Sequence, residues 1–175
     1  MPLSAAEIRN NINSVRERIR QAAEASGRTA GDIRLVAVSK KMSASDVAAA
    51  IAAGQRCFGE NTLQDAATKQ KLIEDPGNEW HFIGHLQTNK ARAVAANFDW
   101  LHTLDSLKLA RKLSTGRQGA GNAIKVLLQI NIAGDPDKYG LTPEAAIGVV
   151  DELLAAGLPG IDLRGLMTIG LRSAT

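Results

Sequence analysis

At 175 residues, 45% hydrophobic and 22% charged, the chain has the length and composition of one ordinary globular domain with a sizeable core. Its 21 basic and 18 acidic residues leave a net charge of +3, no basic run exceeds two residues and aromatics make up 3%; this excludes a phosphate-tracking stripe or a base-stacking platform, so no nucleic-acid partner is expected. The single cysteine, Cys57, excludes an internal disulfide and any multi-cysteine metal centre, and in its short apolar setting it reads as a buried, inert thiol.

The first element is a helix over 4–26. Ser4 with Glu7 three residues later has the form of a capping box, Ile8, Ile12, Val15 and Ile19 make one apolar stripe, and Gly27 closes it. The start of the chain lacks the basic-then-apolar pattern of a secretion signal, and no apolar stretch approaches membrane length, so a cytoplasmic protein without a membrane partner is expected. The chain then alternates. Strands are predicted over 33–40, 57–60, 80–83, 100–102, 124–132 and 163–169, and helices over 45–53, 63–73, 89–97, 107–113 and 143–156. Ser43 with Asp46, Asp105 before Leu107, Thr142 before Pro143, and the stops Gly54 and Gly157 punctuate that order. Such alternation with short connections means parallel strands and right-handed crossovers. No G-x-G-x-x-G or G-x-x-x-x-G-K follows the first strand, which turns the choice from a dinucleotide-binding sheet toward a barrel.

Leu35-Val36-Ala37-Val38-Ser39-Lys40 is an apolar run that ends on a lysine. A strand of this kind delivers an ammonium group to its carboxyl end, where α/β proteins place their ligand sites. An amine held half out of water there becomes a better nucleophile toward carbonyl carbon, as Schiff-base chemistry needs. Strand alternation puts Lys40 on the face of Val36 and Val38, with Lys41 on the other. Neither His81 nor His85 has a partner at metal-ligand spacing, so no metal site is expected.

Five segments occur in order: Leu35–Lys40, Phe58-Gly59-Glu60-Asn61, the run Trp80-His81-Phe82-Ile83-Gly84-His85-Leu86-Gln87-Thr88-Asn89-Lys90, Gln129-Ile130-Asn131-Ile132, and Arg164-Gly165-Leu166-Met167. Together they closely resemble the pyridoxal-phosphate homeostasis proteins, a family related to the barrel domain of alanine racemase. The resemblance implies an α/β fold, a (β/α)₈ TIM barrel of the alanine racemase N-terminal type, with about six βα units in residues 1–175 as a single, C-terminally incomplete domain. It implies pyridoxal 5′-phosphate held as a Schiff base on Lys40, with Asn61, His81 and Met167 near the cofactor. The function implied is a carrier or buffer of cofactor in the cell, not a catalyst of turnover, with pyridoxal-phosphate-dependent enzymes as recipients. In that family, loops after strands seven and eight supply a serine- and glycine-rich phosphate cup; the sequence ends before them, and weak cofactor retention is expected. Two alternatives stand beside this reading. An alanine-racemase-like enzyme would need a second acid/base, for which Tyr139 is the one tyrosine. A shortened barrel that binds no cofactor would self-associate through open sheet edges. Among other polar candidates, Asn61 can equally cap the helix after it, Thr88-Asn89-Lys90 opens a helix whose N-terminus favours anions, and Lys138 offers a second amine.

Overall fold

The computed structural model describes residues 3–170; the two residues before and five after them lie outside it, and with them the chain terminus discussed above. Among the described residues six strands alternate with helices, in two compact units: residues 3–60 with 64–79, and residues 61–63 with 80–170.

The first unit opens with helix α1 (Ala5–Ala25). Ser4 Oγ accepts the Glu7 amide at 3.3 Å while Glu7 takes the Ser4 amide at 2.8 Å, so the predicted capping box forms as read. Helix α2 (Ala44–Ala52) starts on an equivalent box between Ser43 and Asp46. Strand β1 (Ala37–Val38) pairs in parallel with β2 (Cys57–Glu60), Ala37 opposite Phe58 and Val38 opposite Gly59, and helix α3 (Leu63–Leu72) follows β2. Ile8, Val47, Ala50, Phe58 and Ala66 form the core of this unit.

The first strand is far shorter than the predicted 33–40. Its neighbour begins only at Cys57, so residues before Val36 have no strand to pair with. There the buried Gln55 amide takes over, donating from one nitrogen to the carbonyls of Leu35 and Cys57, each at 2.8 Å. A single turn of 3₁₀ helix at Ala30–Asp32 was not anticipated.

In the second unit β3 (Glu79–Phe82), β4 (Trp100–Leu104), β5 (Ile124–Ile130) and β6 (Ile161–Thr168) pair in parallel, in chain order. Helices α4 (Ala91–Asn97), α5 (Leu107–Gly116) and α6 (Pro143–Ala156) connect them. Strand β4 runs two residues beyond its prediction, through an irregularity between Leu101 and Leu104. The predicted helix 89–97 divides: Thr88–Lys90 is a 3₁₀ turn, and α4 proper starts at Ala91 with no side-chain cap. The helix start read at Thr88-Asn89-Lys90 is thus a 3₁₀ turn that leads into α4. Ser106, not Asp105, caps α5, accepting the Leu109 amide at 3.4 Å. Thr142 caps α6 with Pro143 in the first turn, and Gly157 ends it at φ 52°.

The core here joins Val94, Ala95 and Phe98 to Leu101, Leu104, Leu109, Leu113, Ile124, Val126 and Leu128, and five of the seven residues of β5 are buried. Strand β6 pairs on one side only, with β5, among the described residues, and Leu166 on it is 66% exposed.

Candidate functional site

Lys40 stands two residues beyond the end of β1, at the carboxyl edge of that strand. The alternation expected of the sequence holds up to it: Val38 and Lys40 are exposed and Ser39 between them is buried. The expected half-burial is not found, since Lys40 is exposed and takes part in no ion pair or hydrogen bond among the described residues. Nor does Lys41 continue the strand. Its φ is +64°, the one left-handed non-glycine residue among those described, and the Met42 amide closes the turn by donating to the Ser39 carbonyl at 3.0 Å.

Ser39 is the best-held residue of this edge. Its amide donates to Gly59 O at 3.0 Å, and its hydroxyl donates to Glu60 Oε1 at 2.6 Å. Its carbonyl accepts, besides Met42, the Nζ of Lys69 at 2.6 Å. Lys69 reaches there from α3 and also pairs with Glu60 Oε1 at 2.6 Å, in a setting where the two side chains are 6% and 0% exposed. The sequence reading missed this pair. In the sequence Glu60 is only part of Phe58-Gly59-Glu60-Asn61, and Lys69 only part of the predicted helix 63–73. Beside them, an apolar groove of about 290 Å³ lies along α1, α2 and β1, lined by Leu3, Ile8, Ile12, Val38, Met42 and Val47.

The other three candidates lie in the second unit. The Asn61 backbone is in close contact with Gly84, where a Cβ would stand 2.3 Å from Asn61 O. His81 is 1% exposed; its Nδ1 is 2.9 Å from His102 Nε2, and its ring stacks on Trp100 with centroids 5.5 Å apart. One histidine of the pair must offer a lone pair to the other, and burial lowers the pKa of His102 from its ordinary 6.5. Met167 is half-buried near the carboxyl end of β6 and lines an apolar groove of about 470 Å³ with Ile130, Ile132, Ile147, Val150 and Leu166.

The loop from β5 to α6 is built on Asn131. Its Nδ2 donates to Asp135 O at 2.8 Å and Lys138 O at 3.3 Å, and its Oδ1 accepts the Asp135 amide at 3.2 Å. Lys138 is not a free second amine: its Nζ donates to Gly170 O at 2.9 Å and pairs with Asp135 at 3.3 Å. The Asp135 carboxyl is held below the usual carboxylate range, first by the Asp137 amide and then by Lys138. Tyr139, the tyrosine a racemase-like reading would need, lies flat on the His85 ring, with centroids 3.7 Å apart.

Comparison with known proteins agrees with this architecture. The family described as "Alanine racemase, N-terminal domain" matches residues 4–175. The pyridoxal phosphate homeostasis protein of Pseudomonas aeruginosa is 44% identical over 162 residues, covering 93% of this chain and 70% of that protein. The structure of PipY from Synechococcus elongatus with pyridoxal phosphate bound superposes with a TM-score of 0.72 at 37% identity, over 87% of this chain and 70% of that one. An alanine racemase from Clostridium difficile shares the fold alone, with a TM-score of 0.63 at 19% identity over 78% of this chain and 36% of the enzyme.

Proposed function

Since the chain belongs to the alanine racemase N-terminal domain family and, within it, to the pyridoxal phosphate homeostasis proteins, we propose that it binds pyridoxal 5′-phosphate through Lys40 and serves as a carrier of that cofactor. The observation that carries the reading is Lys40 itself: an exposed amine without a counter-ion among the described residues, set just past a strand end on a turn fixed by buried hydrogen bonds. Its donor chemistry fits the cofactor's aldehyde. The bound cofactor would supply an electrophilic carbon on an electron-withdrawing ring. Lys40 would hold that carbon through its side-chain nitrogen, in a Schiff base whose formation would release one water.

Asn61 and Met167 are assigned to the ring of the cofactor, Asn61 as a polar neighbour and Met167 as a soft apolar surface. His81, 1% exposed and engaged with His102, acts by holding its strand and not by direct contact. Enzymatic turnover forms no part of the reading. The protein hands its cofactor to recipient enzymes in the cytoplasm.

Titration of the purified chain with pyridoxal 5′-phosphate, followed by absorbance at the visible edge, tests the site. A band that forms with the parent chain and with Lys41→Ala, and is lost in Lys40→Ala, is expected. An equal band in Lys40→Ala would overturn the reading. Release of the bound cofactor to an apo-enzyme, followed as recovered activity of the recipient, tests the carrier role.

A further inference from the structure

A fully buried ion pair is a costly way to fill space, because apolar side chains of the same volume are often neutral or stabilising in its place. Glu60 and Lys69 make such a pair, and at an added cost. Glu60 Oε1 takes both the Ser39 hydroxyl and Lys69 Nζ, while Glu60 Oε2, equally buried, has no hydrogen-bond partner. What the pair secures is the peptide between Ser39 and Lys40. Lys69 donates to the carbonyl of that peptide, and Glu60 holds the Ser39 side chain. The strand ladder holds only the Ser39 amide, which donates to Gly59 O at 3.0 Å, and does not reach the peptide after it. The chain must also turn at once through Lys41 at φ +64°, a conformation that a lysine adopts only when its surroundings impose it.

We infer that Glu60 and Lys69 are positioning residues for Lys40: they fix the strand end and the left-handed turn, so that the Lys40 amine, and not that of Lys41, is presented to the carbonyl carbon of the cofactor. This rests on the reading of Lys40 given above. A misplacement of about 1 Å at a reacting group can cost on the order of a hundredfold, so the pair can matter greatly without touching the cofactor.

The test compares the parent chain with Glu60→Gln, with the double variant Glu60→Leu/Lys69→Met, and with Ser39→Ala. The readouts are thermal unfolding, the affinity for pyridoxal 5′-phosphate by absorbance, and borohydride reduction followed by peptide mapping. Glu60→Gln keeps an acceptor for Ser39 but leaves the buried Lys69 ammonium without its counter-charge, so it should melt lower than the parent, whereas the double variant removes both charges. The double variant should melt no lower than the parent, yet bind at least tenfold more weakly, with label spread from Lys40 to Lys41. Unchanged affinity and label confined to Lys40 in the double variant would overturn the inference and leave Lys40 as the site. Label off Lys40 in the parent chain would overturn the Lys40 reading and this inference with it. If the double variant does not fold, Ser39→Ala decides, since it removes one tie and keeps the ion pair: weakened binding at an unchanged melting temperature supports the positioning role, and unchanged binding overturns it.

Discussion

The carbonyl oxygen of Asn61 occupies the place where a side chain on Gly84 would begin, 2.3 Å from an ideal Cβ. Packing alone excludes the side chain there, because Gly84 has no left-handed φ to demand glycine. The close contact also fixes the backbone of Asn61, one of the residues assigned to the cofactor.

Gly84→Ala should therefore destabilise the protein by about 2 kcal/mol or more, since the obstacle is backbone and cannot swing aside. Gly148 is the control. It lies inside α6 with nothing within 4 Å of its would-be Cβ, and Gly148→Ala should stabilise by about 0.5–1 kcal/mol. Urea unfolding of both variants checks the pair. Equal effects would mean that the Asn61 contact is not tight.

The buried His102 makes stability depend on pH. Its pKa in the folded protein lies below the ordinary 6.5, so the unfolded chain takes up the proton first as pH falls. Stability should be full above about pH 6.5 and decline below it, by at most about 1.4 kcal/mol per pH unit for this one group, levelling once the folded protein also binds the proton. His102→Gln should flatten that decline between pH 7 and 5. A variant as pH-sensitive as the parent would show that another group is responsible.

Arg117 closes the end of α5 from inside. It donates to the carbonyls of Ala95, Phe98 and Asn122 and to the Asn122 side chain, the last two at 2.9 Å. Arg117→Met would strand these acceptors and should cost about 3 kcal/mol, and Arg117→Lys should restore only part of it, since one ammonium cannot reproduce the guanidinium fork. A loss below about 1 kcal/mol in Arg117→Met, measured by chemical denaturation, would contradict the account.

Arg117 also marks the limit of what can be read from residues in a row. The caps at Ser4, Ser43 and Thr142 were legible because a cap is a local bond between residues three apart. The strand and helix order was legible from the spacing of apolar residues, and Lys40 from its place after an apolar run. Arg117, Lys69 and Gln55 were not, for each has a partner 20 or more residues away (Ala95, Ser39 and Leu35) and their side-chain types ordinarily point to solvent. The length of β1 was illegible for the same reason: it is set by where β2 begins, not by its own residues.

Borohydride reduction of the chain with pyridoxal 5′-phosphate, followed by peptide mapping, bears most directly on the central claim. One major labelled peptide is expected, with the modification on Lys40, and no comparable label on Lys41, Lys90 or Lys138. Label found mainly on any of those three, or spread evenly over exposed lysines, would contradict it.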